Sequence, residues 1–421
     1  MVKAENLKEK LQLIKLQKNP DLYVGSILFG LTHPEEMKIV LTFNEREREM
    51  AWKATLLLSR IATKSLLRFT ENQKILTVFD EQNPLTFEEI NGRLNKNGFK
   101  IHGELRRNMV ATLIDFLYEV KMIQKISDEN SEKFILSKSP IVDYSLSKEE
   151  EEYCHKNYGG SINFFEVTTN HASNVLKGEK QLFNFEKKHA DIWEKFLESK
   201  ELEFGRKFTL KAMRIKNSSD YKILDIGYAR GYGLLNILEL FPEINVWAID
   251  FTDDYLKEVK NKVSKFSKKN SANKKFKINW VDSSKWQNKK VKGFGANLPF
   301  KENFFDGIFF AAGDPFIPIE LRHKVYEDIF RILKPGGTLG LMSWHYPDKE
   351  QKIVKDSWMR RIIYRHNFAE SVVEGWSGFH NLDETVKMFK EIGFTTEGFQ
   401  SNKYYLYDGV FWRLRKPANL P

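Results

Sequence analysis

The 421-residue sequence contains a single cysteine, Cys154, so no internal disulfide can form and no thiolate cluster can assemble. That excludes the small disulfide-stapled folds and points to a reducing compartment. No run of about eighteen apolar residues occurs, which argues against a transmembrane helix and a membrane partner. The opening stretch, MVKAENLKEKLQLIKLQK, is charged throughout and lacks the apolar centre of a signal peptide. No internal repeat or low-complexity tract is present. There is no metal-ligand spacing either, so metal-independent chemistry is expected. Together these absences describe a soluble, cytoplasmic protein.

What the chain does have is apolar and aromatic content. Hydrophobic residues make up 41% of it, with 33 Phe, 15 Tyr and 9 Trp, enough for a core in each of two domains. Lys and Arg outnumber Asp and Glu, 67 to 57, for a net charge of +10. The basic residues are scattered. Their densest stretch, Lys257 to Lys277, reads as an exposed helix and loop rather than a nucleic-acid site. Nucleic acid therefore stands as a partner that charge permits and no motif supports.

Asn44 to Thr70 is strongly helical in pattern, with Trp52, Leu56, Leu57, Ile61 and Leu66 on one side. ILTVFDEQ reads as a helix. LTFEEINGRLNKN is a second, with Thr86 as N-cap and Glu89 closing a capping box. GELRRNMVATLIDFLYEVKMI is a longer third, and MIQKISDENSEKFILSKS has the alternation of a hairpin. Helix, helix, helix, hairpin is the order of a winged helix, a unit that binds DNA through its third helix or serves as a dimerisation platform. Arg106 and Arg107 at the start of the third helix suit phosphates, while Met109, Leu113, Phe116 and Leu117 give it an apolar stripe. Residues 140 to 220 read as an aromatic-rich helical bridge. From Tyr221 onward strands and helices alternate, which implies an α/β, doubly wound parallel sheet. The expected division is 1–140, 141–215 and 216–421.

The sharpest motif is ILDIGYARGYG, Ile223 to Gly233, followed by WAID ending at Asp250. A buried strand runs into a glycine turn that opens a helix, which lets the backbone approach a ligand closely. Asp250, at the end of the next strand, is placed to bind ribose hydroxyls. NAD, FAD and S-adenosylmethionine all use this logic. Asp225, two residues before the first glycine, separates them: a carboxylate there repels a pyrophosphate and suits an ammonium and a sulfonium.

With NLPFKENFFDGIFF and LKPGGTLGL following in order, the segment of roughly 205–415 resembles class I S-adenosylmethionine-dependent methyltransferases, with their Rossmann-like sheet. The resemblance implies that Asp225, Gly227 and Gly231 line the methionine side of the cofactor, that Tyr228 is a further cofactor contact, that Asp250 holds the ribose and that Phe251 covers the adenine. The usual middle glycine is Ala229 here, tolerated if it keeps a negative φ. Asp282 supplies an adenine contact if INWV, rather than VKGF, is the third strand. Phe294 or Trp286 can stack on the base.

The whole chain further resembles small-molecule O-methyltransferases that join a winged-helix dimerisation domain to this catalytic domain. The bridge in such enzymes ends in a Phe-x-x-Ala-Met-like segment, here FTLKAM, Phe208 to Met213, which adds Met213 to the cofactor contacts. A homodimer and a hydrophobic acceptor methylated at oxygen are implied. A decarboxylase- or hydroxylase-like enzyme on the same scaffold and a nucleic-acid-directed protein are the alternatives. The catalytic histidine that plant-type relatives carry after the fourth strand is absent, and Asp314 in AAGDPFIP stands in its neighbourhood. His345, after the fifth strand, is the other candidate base; His366 and His380 are weaker ones. Trp358, Tyr364, Phe368, Trp376 and Phe379 suggest a lid over an acceptor pocket.

Overall fold

The structure is a computed structural model that describes residues 34–127, 132–138, 145–181, 187–270, 276–286, 294–346, 358–395, 403–406 and 409–418. Packing divides the chain into two units that a linear division does not anticipate. One comprises residues 1–56, 197–344 and 384–421; the other comprises 57–196 and 345–383. The segment read from sequence as a lid thus belongs to the second unit.

The first helix, α1 (Pro34–Val40), lies in the first unit, and α2 (Glu45–Asn72) runs through the boundary between the units. In the second unit the segment read as a helix at ILTVFDEQ is a single 3-10 turn, Ile75–Val78. β1 (Leu85–Thr86) leads into α3 (Phe87–Lys96), whose capping box forms as the sequence implies: the Glu89 N–H donates to Thr86 Oγ1 at 3.3 Å and the Thr86 N–H to Glu89 Oε2 at 2.7 Å. α4 (Glu104–Glu119) follows, then the hairpin β2 (Ile123–Ser127) and β3 (Glu132–Leu136), with β1 pairing antiparallel to β3. The apolar stripe Met109, Leu113, Phe116 and Leu117 is wholly buried within this unit.

A second capping box, Ser147 with Glu150, opens α5 (Lys148–Leu176). α6 (Ala190–Leu197) packs across it, with Phe164 stacked on Phe196 at 4.2 Å and Trp193 at 5.0 Å. Gly160 permits this approach, because a Cβ there would overlap the Lys195 carbonyl oxygen. Phe183 and Phe185 of the expected bridge lie outside the described residues.

The first unit continues with α7 (Lys200–Ala212) and a seven-stranded sheet in the order β6-β5-β4-β7-β8-β12-β11. β4 (Lys222–Ile226), β5 (Asn245–Ile249), β6 (Ile278–Trp280), β7 (Phe305–Ala311) and β8 (Leu333–Ser343) run parallel. β11 (Lys403–Leu406) and β12 (Gly409–Arg415) form an antiparallel pair that closes on β8. INW is therefore the third parallel strand, which settles the register left open in sequence. The central strands carry continuous apolar runs because both faces are covered. Phe305, Phe309 and Phe310 of β7 are fully buried; each contributes roughly 1.5–3 kcal/mol of burial.

α8 (Tyr232–Leu240), α9 (Leu256–Asn270) and α10 (Arg322–Ile332) are the crossover helices. α10 ends at Ile332 and the chain turns extended at once, so the KPGG segment belongs to β8 rather than to a helix end. Its Gly336 N–H donates to the Lys416 carbonyl at 2.9 Å, a pairing with the end of β12 that sequence could not foresee. In the second unit, α11 (Trp358–Glu370) packs on α4 and α5, and β9 (His345–Tyr346) pairs in parallel with β10 (His380–Asn381). Phe368, Trp376 and Phe379 are buried there; Phe368 meets Phe69 edge-on at 5.2 Å, and Trp376 Nε1 donates to Asn367 Oδ1 at 3.0 Å. They are core residues of that unit. α12 (Leu382–Ile392) packs Phe389 on Trp412 of β12 at 5.1 Å, while Phe411 meets Phe208 of α7 at 5.2 Å, so α7 and α12 cover opposite faces of the sheet.

Gly160→Ala tests the close approach in the second unit. Helix propensity favours alanine by about 1 kcal/mol. The overlap with a backbone carbonyl costs about 1–3 kcal/mol. A lower urea midpoint is expected; an unchanged or higher midpoint would contradict the packing.

Candidate active site

β4 is flanked on both sides by parallel neighbours, and its last turn of ladder extends to Gly227, whose N–H donates to the Ile249 carbonyl at 2.8 Å. The chain then leaves the sheet through three left-handed residues at alternate positions: Gly227 (φ 73), Ala229 (φ 42) and Gly231 (φ 86), the N-cap of α8. Ala229 thus departs from the negative φ expected of it. A side chain in this region costs roughly 1–2 kcal/mol, and the backbone is held there by Asp250. Asp250 Oδ2 accepts the Ala229 N–H at 2.7 Å, and Oδ1 accepts the Thr252 N–H at 3.3 Å. Gly231 must be glycine for a further reason: a Cβ would lie 2.7 Å from Val259 of α9.

Tyr228 is buried within the turn. Its hydroxyl lies 3.4 Å from both the Thr252 carbonyl and Asp253 Oδ1, and its ring meets Trp280 edge-on at 5.6 Å. It braces the turn from the β5–β6 side. The next residue, Arg230, pairs with Glu258 and lies over the Tyr255 ring at 4.5 Å, which ties the turn to α9.

Asp225 sits at the end of β4, 2% exposed, and its Oδ2 has no hydrogen-bond partner. Burial, and then the charge of Asp250, push its pKa up to about 8, against the opposing pull of Arg206. Asp250, equally buried, is pushed up to about 7 by burial, although backbone N–H groups stabilise its ionised form. Two acids adjacent in the sheet are thus both held in a place that disfavours negative charge, an arrangement that a bound cation would relieve.

The cavity at Asp225 measures about 40 Å³. Its walls bring in residues that the sequence reading did not single out: Leu202 and Arg206 of α7, Phe309 of β7 and Met342 of β8. Arg206 is buried, and its Nε donates to Asn236 Oδ1 at 2.9 Å. A signal existed. Leu202, Arg206 and Thr209 recur at helical spacing, and a lone arginine on an otherwise apolar face of α7 asks for an anionic partner.

Phe294 lies over Gly227, 3.0 Å from where a Cβ would be, with Phe251 at 4.9 Å, Trp286 at 5.1 Å and Phe310 at 5.2 Å. The structure thus gathers Asp225, Gly227, Tyr228, Gly231, Asp250, Phe251 and Phe294 around one turn. Other expected residues fall elsewhere. Asp282 is exposed beyond β6, and its Oδ1 accepts the N–H of Ser284, a cap of its own local turn. Met213 is not brought to the turn. It is buried against Gly307 of β7 and Gly340 of β8 and does not line the cavity at Asp225, because its helix runs back along the sheet. Asp314 is fully buried; Ser343 Oγ donates to it, and Tyr326 and Arg322 adjoin it. Burial pushes its carboxyl up to about 7, with Ser343 and Arg322 opposing. It anchors the end of β8 beneath the surface. His345 contributes backbone to β9, and its side chain lies outside the described residues.

The stretch that holds this turn and its two acids also falls within a recognised domain. Residues 223–337 match the family described as a methyltransferase domain. The chain is a class I, S-adenosylmethionine-dependent methyltransferase. Its sequence is 26% identical over 199 residues to a demethylmenaquinone methyltransferase of Listeria monocytogenes, covering 45% of this chain and 76% of the relative. It is also 26% identical over 183 residues to a sterol 24-C-methyltransferase of Neurospora crassa, covering 44% and 42%. The fold of nearly the whole chain is shared with the CurJ carbon methyltransferase, at a TM-score of 0.56 and 16% identity over 93% of this chain and 98% of that one. It is likewise shared with an O-methyltransferase family 2 protein of Planctomyces limnophilus, at 0.52 and 14% over 86% and 96%.

In this methyltransferase, Ala229→Gly is expected to raise stability by about 0.5–1 kcal/mol, the relief of the left-handed strain less the added freedom of the unfolded chain. Denaturant unfolding measures it, and a loss of stability would show that the methyl group packs usefully.

Proposed function

We propose that this methyltransferase holds the methionyl end of its cofactor between Asp225 and Arg206 and transfers the methyl group to a hydrophobic small molecule. The observation that carries the reading is the pairing of a buried, partly unsatisfied carboxylate with a buried guanidinium across one small cavity. Its volume suits a charged head group, whose ammonium and carboxylate match Asp225 and Arg206 respectively. Asp250 then serves the ribose hydroxyls and Phe251 and Phe294 the adenine. The rest of the nucleoside gains room when the Phe294 ring moves off Gly227. When bound, S-adenosylmethionine supplies an electrophilic methyl group on a sulfonium sulfur. The protein's task is to align the acceptor with it and exclude water.

Two kinds of kinship bear on the acceptor atom. Resemblance to small-molecule O-methyltransferases favours oxygen, as the sequence reading has it. The sterol 24-C-methyltransferase relative favours carbon as a second reading. His345 is the base in either case. A radiolabelled cofactor with quinols, phenols and sterols as trial acceptors should yield S-adenosylhomocysteine and a methylated product. H345A should lower kcat at least tenfold with cofactor affinity unchanged. Cofactor consumption without a methylated product would instead mark a non-methylating enzyme on this scaffold.

The helix–helix–hairpin segment we read as a winged helix that dimerises the chain. Two findings weigh against DNA contact by its third helix. Arg106 Nε donates to the Val175 carbonyl at 2.7 Å and its Nη2 to the Glu179 carbonyl at 3.1 Å. Arg107 is engaged by Glu88. Among the described residues no helix is long and apolar enough to cross a membrane.

The pH dependence separates this cofactor reading from others. Without cofactor, an acid whose folded pKa is raised binds more protons folded than unfolded, so stability falls as pH rises from about 4 to about 8. Cofactor binding needs Asp225 ionised, so affinity for S-adenosylhomocysteine should rise by up to about tenfold per pH unit from pH 6 to 8 and then level. D225N should bind at least tenfold more weakly above pH 8 and lose the part of the rise between pH 7 and 8 by calorimetry. A flat profile in the unmodified protein would exclude the role given to Asp225.

A further inference from the structure

A buried guanidinium serves an anionic ligand well only when its plane is fixed, because each carboxylate oxygen must meet an N–H in line. In the first unit the plane of Arg206 is fixed by α8, the helix that opens directly from the glycine turn. Tyr232 and Asn236 are four residues apart on α8, with Glu239 three further on, so the three share one face. That face meets α7. Asn236 Oδ1 accepts Arg206 Nε at 2.9 Å, and Glu239 accepts Lys207 Nζ at 2.9 Å. The guanidinium carbon lies 5.7 Å from the centre of the Tyr232 ring, within cation–π range. The first turn of the same helix adjoins the opposite charge: a Cβ on Gly233 would stand 3.3 Å from Asp225 Oδ2. One helix therefore sets the spacing between Asp225 and Arg206, which line the same cavity.

The chemistry of Asn236 suits this role. A guanidinium presents five N–H groups in a fixed fork. Among the described residues Asn236 is the hydrogen-bond partner of Arg206, and it takes only the Nε donor. The two Nη groups remain for a ligand. As a neutral acceptor, Asn236 orients the cation without neutralising it. An aspartate in its place would pair with the guanidinium and compete with a ligand's carboxylate. Glu203, whose charge also reaches Arg206, is bridged by Lys200 at 2.7 Å and Lys207 at 2.9 Å. Asn236 is buried and stands outside the cavity walls, so it acts through Arg206 and not on the ligand.

We infer that Asn236 is a positioning residue that gives the enzyme its selectivity for a cofactor bearing a carboxylate over one that lacks it. The inference rests on the reading that Arg206 receives the carboxylate of S-adenosylmethionine. Without Asn236 the positive charge stays but the fork is free to turn, and its alignment with the carboxylate is lost. A nucleoside without the carboxylate, held by Asp225, Asp250 and the aromatic rings, does not sense the change.

Calorimetry on the full chain tests this with S-adenosylhomocysteine and its decarboxylated analogue, which keeps the ammonium, ribose and adenine. The unmodified protein should prefer the carboxylate-bearing nucleoside by at least about tenfold, as a charge-assisted pair does. N236L should weaken that nucleoside by at least about threefold and leave the analogue within twofold, which also reports an intact fold. R206M should abolish the preference, and adding N236L to R206M should change nothing further. If N236L does not bind the analogue, N236A replaces it, with the same contraction of preference expected. An unaltered preference, an equal loss for both nucleosides, or a further effect in the R206M background would overturn the inference. Loss of the analogue in both Asn236 variants would overturn it too, by showing a purely structural role. Equal affinity of the unmodified protein for the two nucleosides would instead remove the role given to Arg206, and this inference with it.

Discussion

The hydrogen bond from the Ala229 N–H to Asp250 Oδ2 joins the ends of two adjacent parallel strands. It holds in place a backbone that would otherwise relax, since three residues in five are left-handed there and one of them bears a side chain. Because the bond is made inside the protein, it requires a buried carboxylate beside the already buried Asp225. Neither acid is comfortable. Each is pushed towards its neutral form by lost hydration, and the charge of Asp250 adds to the effect on Asp225. The turn is thus a place where conformational and electrostatic costs have been accepted together, and a cationic ligand is the natural relief for the second of them.

The packing around the turn serves the same end. α7 lays Leu202 and Arg206 against it, β7 and β8 bring Phe309 and Met342, and Phe294 closes over Gly227. Little water has room at Asp225, so an ion pair formed there is worth more than one at the surface. The opposite ends of the strands have a different character. Lys334 and Asp306 pair there, beside the first residues of β4 and β8. A parallel sheet has two chemically unlike ends, and this chain furnishes each with its own set of charges.

Much of this was legible because it is local. The Thr86–Glu89 capping box needs only residues three apart, and it formed as read. The glycine turn, the acid before it and the acid closing it lie within about thirty residues and follow strand–turn–helix order. Assignments that depended on distant partners went otherwise. Met213 seemed part of the site by its place in FTLKAM, yet its helix carries it onto Gly307 and Gly340, outside the walls of the cavity at Asp225. Asp314 occupied a suggestive position, yet Ser343 and Tyr326 draw it inward. Arg106 and Arg107 looked ready for phosphates, yet backbone carbonyls and Glu88 already hold them.

By itself the sequence determined the sheet class, the turn and the two acids that flank it, because hydrophobic period, glycine freedom and short spacings are properties of neighbouring residues. Only the tertiary structure decided the conformation of Ala229, the arrival of Arg206 at Asp225 and the separation of Met213 from the turn. Those depend on where a helix lands after more than ten residues of intervening chain, and that is set by the packing of whole faces, in which no single residue's identity is decisive.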